Sequence, residues 1–346
     1  MVLYRASVFE GFHLLREDLI LPFGSRMNRI TEREGMADLT FWVYYGNETH
    51  VLRDMPLWMY RAVEHIFPSS LEFVGEYPSE VSGVRVLVVA SFGHPEELSQ
   101  KGMVDRMNRV ADFNARVGGM EIVPGGVIPN SLRALGVQPV SPVSLENDRG
   151  PVFAITYAVE HEFSRKGLVR GQDAIAVIGI GRIGGLVMNR FRSTGHRVVA
   201  VEKTRRGTIK GERILYTNDS WYILEQDAQI IVVITRRGSD IAPDIKNFPV
   251  SATVFDESFP QIEQQDVYTL QTRGNTVARI FLTGIQASRA FGGYATNEIP
   301  ACLVQPMVRV VAQKFERATQ RTGESIQDWV DRVAGEVLGI RPNIAT

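Results

Sequence analysis

Gly179, Gly181 and Gly184 stand in the run A-V-I-G-I-G-R-I-G-G at residues 176–185. This G-x-G-x-x-G follows an apolar run of strand length and opens a segment of helical periodicity, a context that gives each glycine a task. Gly179 permits a tight turn, Gly181 lets a pyrophosphate approach the backbone, and Gly184 lets helix and strand touch. The helix start offers unpaired N–H groups and a partial positive charge to phosphates. Glu202 ends the next apolar run, where a carboxylate accepts from the adenosine ribose hydroxyls. Arg182 and Ile183 inside the loop, and Thr235 at the end of Q-I-I-V-V-I-T, complete the expected cradle. The chemistry of such a cradle is hydride transfer with NAD or NADP. Glu202 repels a 2′-phosphate and favours NAD, whereas Lys203, Arg205 and Arg206 offer that phosphate partners if the carboxylate turns away. Both cofactors are expected. The competing reading is a doubly wound domain without nucleotide, its glycines serving only close contact.

A second candidate is the single cysteine, Cys302, in I-P-A-C-L-V-Q-P. Proline suits a first helical turn, so the sequence predicts a helix beginning near Asn297 to Pro300. Cys302 then falls where the helix dipole favours thiolate. Pro306 cannot donate to the Cys302 carbonyl, which breaks the ladder at that turn. The thiol reads either as a nucleophile or as a small buried hydrophobe. Acid–base candidates are Asp148, His161, Asp256 and His94, each of which also reads as a structural or solvated residue. V-F-D-E-S ends a predicted parallel strand, so Asp256 and Ser258 are better placed toward a ligand crevice. No metal site is expected.

The elements around these residues change character along the chain. "LTFWVYYGNETHVL" (39–52) predicts two strands about Gly46-Asn47, and 56–67 predicts a helix. "VRVLVVAS" (84–91) predicts a buried strand, and 102–119 a helix stopped by two glycines. Arg106, Arg109 and Arg116 there read as a solvated face. Residues 124–144 read as loops with short elements, and 150–167 as a helix. From residue 174 short apolar strands alternate with helices: 174–179, helix 182–194, 197–202, 213–217, helix 219–226, 229–235, 252–257 and 266–270. The tail from about 297 reads as helical. That alternation predicts an α/β fold with a Rossmann doubly wound parallel sheet, preceded by a mixed α/β substrate domain. The expected domains are 1–165, with helices of 293–346 returning to it, and 166–292. Closure of a cleft between them would exclude water.

The chain has 346 residues, 44% hydrophobic and 22% charged, with a formal net charge of −1, so two globular domains are the default. That balance argues against nucleic acid or an anionic membrane as the main partner. The N-terminus lacks the long apolar run of a signal peptide, and no 18 apolar residues run together. A cytoplasmic protein is expected, with a homo-oligomer, by default a dimer, as its assembly.

In order, "SFGHPEEL" (91–98), "NDRGPVFAITYAV" (147–159), the glycine run, "VFDESFPQI" (254–262), "VYTLQTRG" (267–274) and "IPACLVQPMVRVVAQKFE" (299–316) resemble one family. It is the cyanobacterial-type long-chain acyl-[acyl carrier protein] reductases, with their shikimate-dehydrogenase-like arrangement. The resemblance spans roughly residues 85–318 and implies that Cys302 carries an acyl group, that the product is an aldehyde, and that an acyl carrier protein delivers the substrate. Three functions thus stand side by side: a thioester reductase acting through Cys302, a dehydrogenase or imine reductase of a small polar metabolite, and a non-enzymatic dinucleotide sensor.

Overall fold

The computed structural model describes residues 37–44, 71–78, 83–91, 95–204, 207–211, 213–258, 261–288 and 294–346. The hairpin expected at Gly46-Asn47, the helix expected over 56–67, His94, Arg205 and Arg206 lie outside the described residues. The chain divides into two compact units, Met1–Leu145 with Ala287–Thr296, and Glu146–Gln286 with Asn297–Thr346.

In the first unit the elements are Leu39–Tyr44 (β1), Leu71–Tyr77 (β2), Val86–Ser91 (β3), Gln100–Arg116 (α1), Glu121–Pro124 (β4) and Ile128–Ala134 (α2). The sheet order is β2-β3-β1-β4, with β3 and β4 parallel to β1 and β2 antiparallel to β3. All six residues of β3 are buried, as its unbroken apolar run requires. Ser99 caps α1 by accepting from the Gly102 N–H at 3.1 Å, and Met103, Met107, Val110 and Phe113 turn onto Trp42, Leu87 and Ile122. Arg109 and Arg116 are exposed as expected, but Arg106 is buried and its guanidinium donates to the Gly102 carbonyl at 3.3 Å. It lies beside Met103 and Met107 on the edge of the apolar stripe, so only its charged tip needs a polar partner.

The second unit contains Arg149–Arg165 (α3), Ala174–Ile178 (β5), Arg182–Ser193 (α4), Arg197–Val201 (β6), Ile209–Lys210 (β7), Ile214–Thr217 (β8), Trp221–Glu225 (α5), Ile230–Val233 (β9), Thr253–Asp256 (β10), Gln264–Thr272 (α6), Thr276–Thr283 (β11), Ala301–Lys314 (α7), Ile326–Arg332 (α8) and Arg341–Ala345 (β12). A 3-10 segment, Gly238–Asn247, follows β9. Six strands run parallel in the order β8-β6-β5-β9-β10-β11, and antiparallel β7 and β12 cover the two edges. This is the Rossmann order, in which the chain reverses direction across the sheet between β5 and β9. Ligand crevices in open α/β sheets form at the carboxyl ends of strands at that reversal. The strands are buried on both faces: β5, β9 and β10 have no exposed residue. No described helix is long and apolar enough to cross a membrane.

Three expectations change. "DVYTL" lies in α6, not in a strand; its alternation suits either state, and Glu263 in extended backbone with Gly274 at φ +80° bounds a helix instead. The strand of this region is β11, whose burial alternates residue by residue, and the tail ends in a strand, β12, rather than a helix. The boundary falls between Leu145 and Glu146, not near 165, and residues 297–346 belong to the second unit. The reason is α3, ten of whose residues are buried: it lies against α4, α7, α8 and the β11–β12 pair, so it and the C-terminal helices share one core.

Candidate dinucleotide site

The glycine loop sits on β5, at the middle of the parallel sheet, beside the reversal point. Gly179 has φ +91°, and a Cβ there would lie 2.5 Å from the Ile234 carbonyl oxygen, so only glycine lets the turn pass the end of β9. Thr235 follows Ile234 and flanks the loop across the reversal point; its hydroxyl donates to the Arg237 carbonyl at 2.8 Å. A Cβ on Gly184 would lie 2.0 Å from the Gly179 carbonyl, which is the close contact of α4 with its own strand. Gly181 differs from both: a Cβ there would meet nothing within 4 Å. It starts α4 in extended backbone, and no side chain caps the first turn. The amides of Arg182, Ile183 and Gly184 therefore keep their unpaired N–H groups for an external acceptor. An open edge of uncapped amides, bounded by two glycines that cannot be larger, fits a diphosphate.

Glu202 follows β6 and points back to the loop. Its Oε2 accepts from the Ile180 N–H at 3.0 Å, and its Oε1 accepts from the Thr204 hydroxyl at 3.0 Å. The carboxylate is thus fixed at the carboxyl edge of the sheet beside the glycines, where ribose hydroxyls of a dinucleotide bind in this fold. Lys203 is paired in this arrangement. Its Nζ lies 2.8 Å from Asp244 Oδ2 and donates to the Asp240 carbonyl at 2.7 Å, both on the 3-10 segment after β9. Arg182 is likewise engaged, in an ion pair with Asp148 at the start of α3.

The acid–base candidates separate. Asp256 ends β10 but serves its own loop: Oδ1 accepts from the Ser258 N–H at 3.1 Å and from the Ser258 hydroxyl, and Oδ2 accepts from the Ile262 N–H at 2.7 Å. Burial pushes its carboxyl up despite these bonds. His161 is exposed on the last turns of α3, about 20 Å along the helix from Asp148 by helical rise. The structure does not bring it to the glycine loop. The residue that sequence reading passed over is Glu257, next to Asp256 at the same strand end. Burial pushes its carboxyl up to about 8, and the charge of Asp256 adds to that effect; the Ile280 N–H and Arg279 act against it. Its Oε1 accepts from the Ile280 N–H at 3.3 Å, taking a place in the ladder that β10 leaves when it ends at Asp256. The sequence signal was its position, one residue past a strand carboxyl end.

Cys302 is the second residue of α7, whose N-cap is Pro300, as the sequence predicts. The thiol is half-buried and not in a disulfide. The start of α7 is mounted on the start of α3. A Cβ on Gly150 would lie 1.9 Å from the Ala301 carbonyl oxygen, and the Arg149 N–H donates to Gln305 Oε1 at 3.1 Å. The first turn of α3 therefore touches both the cysteine's helix and, through Asp148, the glycine helix. Pro306 is buried within α7 without ending it.

No family model matches the chain, and no curated protein matches it. Solved structures similar to it include L-tryptophan dehydrogenase from Nostoc punctiforme, at 13% identity over 88% of each chain with a TM-score of 0.39. D-lactate dehydrogenase with NAD+ from Lactobacillus jensenii is similar at 14% identity, over 69% of this chain and 78% of that one, with a TM-score of 0.31. A D-isomer specific 2-hydroxyacid dehydrogenase from Xanthobacter autotrophicus Py2, in complex with NADPH and MES, is similar at 17% identity. That pair covers 45% of this chain and 75% of the other, with a TM-score of 0.31.

Proposed function

We propose that the chain is a nicotinamide-dinucleotide-dependent oxidoreductase, a dehydrogenase or reductase of a small polar substrate that uses acid–base catalysis. The observation that carries the proposal is the glycine loop on the middle strand of a Rossmann-ordered sheet, with Gly181 facing open space. The uncapped amides of Arg182, Ile183 and Gly184 bind the diphosphate, and Glu202 accepts from ribose hydroxyls. When bound, the dinucleotide supplies or accepts the hydride. The chain's own part is proton exchange, and Glu257 is the group suited to it: a carboxyl at the end of β10 that burial pushes up to about 8. NAD is the preferred dinucleotide, because Glu202 repels a 2′-phosphate and Lys203 is already paired. Titration with NADH and NADPH, followed by nucleotide fluorescence, tests the reading. Saturable binding that Gly181→Ala weakens supports it, and no saturable binding of either nucleotide overturns it.

A second reading, the thioester reductase, rests on the shared mount of α7 and α4 on the first turn of α3. There the Cys302 thiolate attacks an acyl thioester, the acyl group passes to sulfur, and the carrier leaves as its thiol. Oxidation of NADH or NADPH dependent on an acyl-thioester, lost in Cys302→Ser while nucleotide affinity stays, selects this reading. Equal turnover by that variant removes it.

A further inference from the structure

Lys203 follows the ribose-binding carboxylate directly, the position from which a cation reaches a 2′-phosphate. Its ammonium is instead held by a built network. Asp244 is buried, and among the described residues Lys203 is the cation paired with its Oδ2, at 2.8 Å. Asp244 Oδ1 accepts from the Ser220 hydroxyl at 2.8 Å, and Ser220 Oγ accepts in turn from Asn247 Nδ2 at 2.8 Å. The Asp240 carbonyl takes a further Lys203 proton at 2.7 Å. Ser220 precedes α5, while Asp244 and Asn247 share the 3-10 segment, so a serine from a second element, itself held by Asn247, fixes the aspartate beside the lysine. The ammonium is half-exposed, so water screens the pair; what holds Lys203 in place is the combination of the fixed carboxylate and the Asp240 carbonyl.

We propose that Asp244 sets the choice of dinucleotide: by occupying Lys203 it withholds the cation a 2′-phosphate needs, and so enforces NAD over NADP. The inference rests on the dinucleotide reading above and adds a specificity residue that does not itself touch the cradle. Asp244→Asn keeps an acceptor for Ser220 and removes the charge that holds the ammonium. Lys203 is then free to pair with a 2′-phosphate.

The test measures dissociation constants of NADH and NADPH for the full chain, with Arg205 and Arg206 unchanged in every variant so that their contribution cancels when the NADH:NADPH ratio is compared between variants. Wild type is expected to favour NADH at least about 10-fold, which corresponds to a single lost charge contact. Asp244→Asn is expected to narrow that ratio at least about 5-fold by tightening NADPH. Adding Lys203→Gln to Asp244→Asn is expected to restore the wild-type ratio. Lys203→Gln alone is expected to leave NADPH affinity within about 2-fold, since the lysine is not engaged with phosphate; this variant serves even if Asp244→Asn does not fold. A ratio unmoved in folded Asp244→Asn, or a large loss of NADPH affinity in Lys203→Gln, overturns the inference alone. Wild type that binds neither nucleotide overturns both the inference and the reading beneath it.

Discussion

Arg182 and Asp148 form an ion pair that ties the first residue of the glycine helix α4 to the residue that starts α3. The guanidinium is half-exposed, so water screens the pair and its worth is that of a surface bridge, up to about 1 kcal/mol. Its use is positional: it sets where the loop ends and the helix begins. Asp148→Ala is expected to weaken NADH binding by up to about 5-fold. It should leave the urea midpoint close to wild type, and fluorescence titration beside a urea curve reads both quantities.

Gly181 and Gly184 should respond oppositely to the same added methyl. Gly184→Ala drives a Cβ onto the Gly179 carbonyl and is expected to cost about 1–3 kcal/mol of stability. Gly181→Ala has open space and ordinary backbone angles, so its stability should stay within about 0.5 kcal/mol. Its methyl occupies the edge where a diphosphate must approach, and nucleotide affinity should fall at least about 10-fold. Thermal melts and NADH titrations of the two variants check the pairing.

Glu257 should govern the alkaline side of turnover. Its carboxyl is mostly protonated at neutral pH and loses its proton as pH rises through about 8. Glu257→Gln preserves an acceptor for Ile280 and is expected to abolish that limb of the pH–rate profile. A profile unchanged in the variant removes Glu257 from the chemistry.

Stability should carry two opposed pH signatures. Burial raises Asp331 to about 6, although Arg190 lies 3.1 Å away; a raised carboxyl favours the protonated fold. Its contribution is full below about pH 4 and is lost as pH rises through about 6. Glu324 is held down to about 2, first by hydrogen bonds from Arg332 at 2.8 and 2.9 Å. That contribution is present above its ordinary value and lost as pH falls through about 2. Urea midpoints across pH should therefore flatten between about 4 and 6 in Asp331→Asn, and on the acid limb in Arg332→Gln.

The parts legible from sequence were those fixed by local chemistry. β5, the three glycines and the start of α4 follow from an apolar run, a positive φ and an uncapped turn; Pro300 likewise marks the start of α7. What escaped was set by residues distant in sequence. Asp244 meets Lys203 only when the chain after β9 comes to the end of β6, and Glu257 is perturbed by the ladder of β11. The length and glycine stop of α3 are local and place it with the residues before it, whereas the contacts that put it in the second unit are not local. The strand end at Asp256 is legible in V-F-D-E-S, but its three loop bonds come from Ser258 and Ile262, and no spacing rule foretells them.

The chain of the second unit breaks off at Gln286 and resumes at Asn297, with Ala287–Thr296 counted in the first unit. The intervening stretch is pinned to β2, where Ser288 and Glu76 exchange hydrogen bonds at 2.7 and 3.0 Å, and it is closed at its base by Ala287 and Thr296 at 2.6 Å. A gene fragment starting at Glu146 would keep all eight strands of the large sheet and yet display that insert with its hosts gone. Deleting the insert and splicing Gln286 to Asn297 through a short turn is the sounder way to isolate the nucleotide module, because the closed base already holds the two splice points near each other.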